Sequence, residues 1–120
     1  MVEPIERLFA AILAARAGDP CRSRTAKLVR EGVPKMAKKV VEEASEVALD
    51  AVQGQRQRVV EESADLLYNL AVLWSATDIV PADVWAEMER RERLYGIAEK
   101  MAKVGRGEAV ARAFGFGDRP

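Results

Sequence analysis

Four acidic residues of this chain are placed symmetrically about Gly54. Glu46 lies eight residues before that glycine and Glu62 eight after it, while Glu43 and Asp65 lie eleven before and eleven after. If the flanking segments are helices that fold back at Gly54, Glu46 faces Glu62 and Glu43 faces Asp65. Within each helix the two acids are spaced i, i+3 and therefore share one face. The spacing predicts a cluster of four carboxylates.

Such a cluster is unfavourable without a counter-charge, because like charges in a low dielectric repel and raise one another's pKa. A hard divalent cation offsets that cost, and a set of ligands made only of oxygens suits magnesium. The pattern therefore indicates a Mg²⁺ site. Glu42 is a further candidate, as a ligand or as support for one, although on an ideal helix it points about 100° away from Glu43. The alternative is a solvated helical face whose acids pair with bases.

The composition excludes several other chemistries. The chain has no histidine, which rules out Ser-His-Asp and Cys-His nucleophile activation. The single cysteine, Cys21, cannot form an internal disulfide, argues against a zinc site and suits a reducing cytoplasm. No apolar stretch is long enough to cross a membrane, and the first ten residues lack an export signal. Zero net charge without a basic-aromatic pattern argues against nucleic-acid binding. We therefore expect a cytoplasmic protein.

Charge is strongly segregated along the chain. Residues 22–39 carry seven bases and one acid, whereas residues 42–65 carry seven acids and two bases. A cationic segment beside an anionic one can hold a phosphate group together with its metal, although two solvated helix faces that pair with each other are the alternative. The hydroxyls in this segment can donate to a phosphate or cap a helix. The candidate phosphate-binding residues are Ser23, Arg24, Thr25, Lys27, Lys35, Lys38 and Lys39.

The apolar spacing predicts helices throughout and no strand. A first helix over 4–17 has one apolar stripe, formed by Ile5, Leu8, Phe9, Ile12 and Leu13. A short helix begins near Ser23 or Thr25, either of which can cap it, and closes at Gly32. A long helix runs from Pro34 to about residue 52, with a buried stripe of Met36, Val40, Val47 and Val52. Further helices are expected over about 57–76 and from Pro81 to about Lys103.

These elements favour an all-α antiparallel helix bundle. The run Leu66–Trp74 is apolar almost all round its helix, which predicts burial on several sides and completion of the bundle by a homodimer. We expect one domain over residues 1–104 and a glycine-rich extension over residues 105–120.

Three segments of the chain resemble a known family. They are Ser23-Arg24-Thr25-Ala26-Lys27-Leu28, Glu42-Glu43-Ala44-Ser45-Glu46 and Glu62-Ser63-Ala64-Asp65-Leu66-Leu67-Tyr68. Over residues 5–93 the chain resembles the phosphoribosyl-ATP pyrophosphohydrolase family. That family belongs to the all-α nucleotide pyrophosphohydrolase superfamily, along with MazG-type enzymes. The superfamily motif is E-E-x-x-E, a spacer, then E-x-x-D, and the serine-to-lysine segment narrows the resemblance to this branch.

The resemblance implies Mg²⁺-dependent hydrolysis of phosphoribosyl-ATP to phosphoribosyl-AMP and pyrophosphate, the second step of histidine biosynthesis, by a homodimer acting on a small-molecule nucleotide. The residues that it implies as metal-binding and catalytic are Glu43, Glu46, Glu62 and Asp65, with Glu42 beside them. The chain departs from the family at Val41, where glycine is usual, and at Asn69, where histidine is usual. Asn69 is expected either to contact substrate or a metal ligand, or to be a buried, satisfied amide.

Two other functions remain open on these residues. One is a house-cleaning pyrophosphohydrolase of the MazG type that acts on free (d)NTPs, and the other is a helical dimer that binds a partner without catalysis.

Overall fold

The computed structural model describes residues 2–95, which form five α-helices and no strand. They are α1 (Pro4–Ala15), α2 (Arg24–Glu31), α3 (Val33–Val52), α4 (Arg56–Ala76) and α5 (Pro81–Leu94). The all-α prediction is confirmed. The chain divides into two compact units, of which the first ends at Asp83 and contains α1 to α4, and the second begins at Val84.

The short helix α2 has the ends that its sequence predicts. The Ser23 hydroxyl accepts a hydrogen bond from the Ala26 N–H at 3.1 Å, so Ser23 caps the helix and Thr25 does not. Gly32 adopts φ 95°, a conformation that favours glycine, and this allows α3 to begin at the very next residue. The cap and the glycine together fix where α2 lies against α3, which it contacts.

Helices α3 and α4 form the predicted hairpin. Gly54 adopts φ 70° in the short turn between them, again a backbone conformation suited to glycine. Across the turn, the Arg58 guanidinium lies 3.4 Å from the Asp50 carboxylate. The two residues are each four positions from Gly54, so the observed pairing is symmetric about that glycine, as the sequence predicts.

The core of the first unit lies where α1 and α2 pack on the hairpin. Its buried residues are Phe9, Ile12, Leu28, Met36, Ala71 and Val72. The Arg16 guanidinium donates to the Ser75 carbonyl at 2.6 Å and so ties the end of α1 to the end of α4. This core holds α4 rigidly on the side away from the Gly54 turn, because Ala71 and Val72 are completely buried there.

Two predicted core positions are wrong. Leu13 is 50% exposed, because successive helical residues point about 100° apart and Ile12 is the one that enters the core. Val52 is 87% exposed, because it ends α3 beside the turn, beyond the part of the helix that α2 covers. The rest of the predicted α3 stripe is buried at Met36 and half-buried at Val40 and Val47.

The described part of the second unit is the portion of α5 after Asp83, together with Tyr95. Within it, the Arg90 and Arg91 guanidinium groups donate to the Glu87 carboxylate at 2.8 and 2.9 Å and lower the pKa of that group to about 2. The predicted continuation of this helix to about residue 103, and the predicted extension over residues 105–120, lie outside the described residues. No helix within residues 2–95 has both the length and the apolar character needed to cross a bilayer.

Candidate metal and phosphate site

The hairpin brings three of the predicted acids together. Glu43, Glu62 and Asp65 each offer one carboxylate oxygen, and these oxygens all lie within 4.8 Å of one another. All three side chains are half-buried. Glu62 and Asp65 share a face of α4 at i, i+3 spacing, and Glu43 reaches them from α3 across the hairpin.

Glu46 is the fourth member of this carboxylate cluster, which comprises Glu43, Glu46, Glu62 and Asp65. It is exposed, yet its carboxyl hydrogen-bonds that of Glu62. This contact, followed by a similar one from Glu43, partial burial and charge repulsion, raises the pKa of Glu62 from 4.5 to about 7. Two ionised carboxylates have no donor to share and repel each other, so their proximity favours the protonated form of Glu62.

The cluster has the donors and the charge of a cation site. One oxygen of Glu43, Oε2, is buried and has no hydrogen-bond partner among the described residues. None of the ion pairs within residues 2–95 includes a member of the cluster. A group of oxygen donors with an unsatisfied acceptor and excess negative charge fits a hard divalent cation. Glu42 is half-buried but is not one of the three residues whose oxygens converge, so its role as a ligand stays a prediction.

A basic groove lies between α2 and α3. It has a volume of about 280 Å³, and its lining residues are Arg24, Lys27, Leu28, Glu31, Lys35 and Lys39. Four of the six are bases and one is an acid, so the groove favours an anion. Of the predicted lysines, Lys38 is exposed and does not line the groove, whereas Lys35 does.

The groove and the carboxylate cluster follow one another along α3. Lys35, Lys39 and Glu43 succeed each other at i, i+4 steps, which places them on one face with about one helical turn between neighbours. A substrate with phosphates held by the groove would therefore extend directly toward the acids. This continuity is what phosphate chemistry at a metal requires, since the reacting phosphate must touch both charges.

Tyr68 joins α2 to α4 beside this face. Its hydroxyl lies 2.6 Å from the Thr25 hydroxyl, and the Arg24 guanidinium carbon lies 3.9 Å from the centre of its ring. The sequence predicted a core or interface residue here, and Tyr68 does pack against the core. Its link to Arg24 was missed, although the i, i+3 spacing from Asp65 already placed it on the acidic face.

The amide nitrogen of Asn69 is buried and hydrogen-bonded, as the second of the two alternatives for this residue predicts. The side chain is buried, and Nδ2 donates to the backbone carbonyl of Asp65 at 2.9 Å. This bond runs back along α4 to the residue that carries one of the clustered carboxylates. Contact of Asn69 with a substrate stays a prediction.

Comparison with known proteins gives one consistent family. The family model described as phosphoribosyl-ATP pyrophosphohydrolase matches residues 6–92. A protein of Rhodopseudomonas palustris named phosphoribosyl-ATP pyrophosphatase 2 is 57% identical over 111 residues, covering 92% of this chain and 85% of its own length. One of the same name from Bradyrhizobium diazoefficiens is 58% identical over 103 residues, covering 86% of this chain and 77% of its own length. A phosphoribosyl-ATP pyrophosphatase of Azospirillum brasilense is 46% identical over 99 residues, covering 82% of this chain and 89% of its own length.

The matched range includes every residue of the carboxylate cluster and of the basic groove. It also agrees closely with the range over which the sequence motifs carried the resemblance. The chain belongs to the phosphoribosyl-ATP pyrophosphohydrolase family.

Proposed function

We propose that this chain hydrolyses the α–β phosphoanhydride of phosphoribosyl-ATP in a Mg²⁺-dependent reaction, which yields phosphoribosyl-AMP and pyrophosphate. This is the second step of histidine biosynthesis, and we propose the cytoplasm as the site of the reaction. The observation that carries the proposal is the group of converging oxygens from Glu43, Glu62 and Asp65, next to a basic groove, in a chain of this family.

The carboxylate cluster would hold the metal, with Glu43, Glu62 and Asp65 at its centre because their oxygens already converge. Mg²⁺, when bound, supplies positive charge to phosphate oxygens and lowers the pKa of a water molecule that it coordinates. Glu46 is the exposed member of the cluster, so we assign its carboxylate to accept the proton of the attacking water.

The basic groove would bind the phosphates. Arg24, Lys27 and Lys39 line it and are exposed or half-exposed, so they can reach an anion in solvent. Arginine offers a fork of N–H donors that matches phosphate oxygens, and lysine a compact charge. Ser23 also lies in this segment, but its hydroxyl already accepts the helix-capping hydrogen bond, so a phosphate would compete with the cap.

A second copy of the chain is proposed to cover the outer face of the hairpin. Large apolar residues are exposed on both of its helices, namely Val41, Leu49 and Val52 on α3 and Val60 and Leu67 on α4. Several large apolar side chains exposed on the same two helices are typical of an interface, and closed homodimers are the commonest oligomers.

The reaction is tested by pyrophosphate release from phosphoribosyl-ATP, with Mg²⁺ and with EDTA, beside dATP, dUTP and other NTPs. We expect metal-dependent release from phosphoribosyl-ATP at a kcat/KM far above that for free nucleotides. Comparable values on all substrates would move the protein to the house-cleaning branch. No release from any substrate would support the non-catalytic dimer.

The roles within the cluster are separated by two isosteric variants. Asp65→Asn should raise the Mg²⁺ concentration for half-maximal activity by more than about tenfold, since even the loss of an indirect contact to a ligand costs that much. Glu46→Gln should lower kcat by about 10²- to 10⁴-fold at saturating Mg²⁺, the usual contribution of a general base. Glu61→Gln, an exposed neighbour on α4, is the matched control and should behave as the wild type. A Glu46→Gln variant with full kcat would remove Glu46 from water activation.

The raised pKa of Glu62 predicts a pH-dependent stability of the metal-free protein. The folded state binds this proton more tightly than the unfolded state does, with a pKa of about 7 against a usual 4.5. The resulting stabilisation is complete below the unfolded pKa and is lost as the pH rises through about 7. Thermal melts in EDTA between pH 4.5 and 8 should therefore show a decline in the wild type that is reduced in Glu62→Gln, and Mg²⁺ should restore wild-type stability at the upper end. If the thermal stability of the wild type and of Glu62→Gln changed with pH in the same way, the raised pKa would not belong to Glu62.

The proposed dimer is tested by light scattering. The wild type should have about twice the mass of the 13.2 kDa chain. Leu67→Lys places a charge on the exposed hairpin face and should lower that mass to one chain at low micromolar concentration, because burying an unpaired ammonium is costly. Leu13→Lys alters an equally exposed leucine on α1 and should leave the dimer intact. A monomeric wild type would refute the proposal.

A further inference from the structure

Arg24 has an unusual environment for an exposed arginine. Its guanidinium carbon lies 3.9 Å from the centre of the Tyr68 ring, which is close to van der Waals contact. Among the described residues, no carboxylate forms an ion pair with it. Stacking occupies the face of a guanidinium and leaves its N–H donors free at the edge. Arg24 is therefore held against the Tyr68 ring, and within residues 2–95 its N–H donors form no ion pair that would compete with a ligand.

The ring that holds Arg24 is itself fixed. The Tyr68 hydroxyl is 2.6 Å from the hydroxyl of Thr25, which is only 7% exposed, and the side chain packs against the core cluster. Thr25 follows Arg24 in the first turn of α2, so the two neighbours bind the same tyrosine by different means. One contact sets the position of the helix start, and the other sets the direction of the arginine.

Tyr68 also belongs to the helix of the acids. It lies three residues after Asp65 on α4 and so extends the face that carries the carboxylate cluster by one turn. Arg24, at the other side of the contact, lines the basic groove. The tyrosine thus connects the two charged parts of the site, and any shift of α2 relative to α4 would change the distance between them.

We propose that Tyr68 is a positioning residue for the substrate's phosphates. Its ring holds the Arg24 guanidinium at the groove, ready to donate to a phosphate oxygen, and its hydroxyl fixes the first turn of α2 through Thr25. The ligand class is a di- or triphosphate anion. The proposal rests on the proposed function for the identity of the full substrate, but it concerns anion binding by the groove and is measurable without hydrolysis.

The rival account is that Tyr68 only ties α2 to the bundle. The two accounts differ in what happens when Arg24 is absent. If Tyr68 acts through Arg24, removal of the ring has no further effect on phosphate binding once the guanidinium is gone. If it only supports the fold, the two losses are independent and multiply.

The experiment is calorimetric titration of inorganic pyrophosphate into the full chain in EDTA, with KM and kcat for phosphoribosyl-ATP measured in parallel with Mg²⁺. Tyr68→Leu should weaken pyrophosphate binding about two- to fivefold, the effect of a lost cation–π contact. Arg24→Ala should weaken it by about tenfold or more, the effect of a lost charged hydrogen bond. The double variant should equal Arg24→Ala. Tyr68→Phe keeps the ring and should stay closer to the wild type than Tyr68→Leu does. KM should follow these changes, with kcat altered less.

The control is Tyr95→Leu, which removes the chain's other tyrosine from an exposed position and should leave pyrophosphate binding unchanged.

Multiplying effects of Tyr68→Leu and Arg24→Ala would overturn the proposal, and so would equal losses in Tyr68→Phe and Tyr68→Leu. If Tyr68→Leu does not fold, Tyr68→Met, which also removes the ring, replaces it in each comparison, including the double variant with Arg24→Ala. Absence of pyrophosphate binding by the wild type would overturn the proposal even if phosphoribosyl-ATP is hydrolysed. Pyrophosphate binding with the expected pattern but no hydrolysis would leave it standing while refuting the proposed function.

Discussion

The packing of α3 against α4 is the constraint on which the rest of the site depends. These are the two longest helices within residues 2–95, and they are joined by a turn so short that their register is fixed at Gly54. Because the register is fixed, the Asp50–Arg58 pair and the contact of Glu62 with Glu46 occur at matching distances from the turn, and Glu43 reaches Glu62 from one helical turn further along α3. The acids are therefore brought together by covalent geometry and helix packing, and their mutual repulsion cannot separate them without breaking the hairpin.

The charges of the site are separated into a negative carboxylate cluster and a positive basic groove on the same face. The carboxylate cluster is strained in the sense that one oxygen of Glu43 is buried without a partner and Glu62 binds a proton near neutral pH. The basic groove carries the opposite excess of charge about one turn away on α3. Ion pairs between the carboxylate cluster and the basic groove would neutralise both charges. None of the ion pairs within residues 2–95 joins the two. The carboxylate cluster therefore remains available for a cation and the basic groove for an anion, as in a phosphate bound together with its metal.

The sequence predicted the parts of this arrangement that follow from local rules. Helix bounds at Ser23, Gly32 and Gly54 depend on capping and on positive φ, which are properties of single residues, and they are confirmed. The meeting of the acids followed from counting residues on either side of Gly54. In contrast, Leu13 and Val52 were misplaced because apolar periodicity shows which residues share a face but not how far a neighbouring helix covers it.

The role of Tyr68 was missed for a related reason. An aromatic residue in an apolar run is most simply assigned to the core, and only the position of α2 in space reveals that Thr25 and Arg24 meet it. Contacts between elements that are distant in sequence, here 43 residues apart, have no signature in either segment alone. The identity of the metal and the dimer likewise depend on partners that are not part of this chain. The residues indicate them only through a buried oxygen without a hydrogen-bond partner and through apolar side chains left exposed.

The symmetric turn at Gly54 also limits how this site can change in evolution. Both arms of the hairpin are helical up to a few residues from that glycine. The number of residues between the two acidic motifs therefore determines whether the acids of one helix face those of the other. A single residue added within one helical arm rotates its acids by about 100° and carries them off the shared face. Lengthening that preserves the site must add whole turns to both arms, in steps of about seven residues, or be absorbed by the loop itself. Spacers in working relatives should therefore vary in preferred increments, and a spacer of forbidden length would mark a chain whose acids no longer meet.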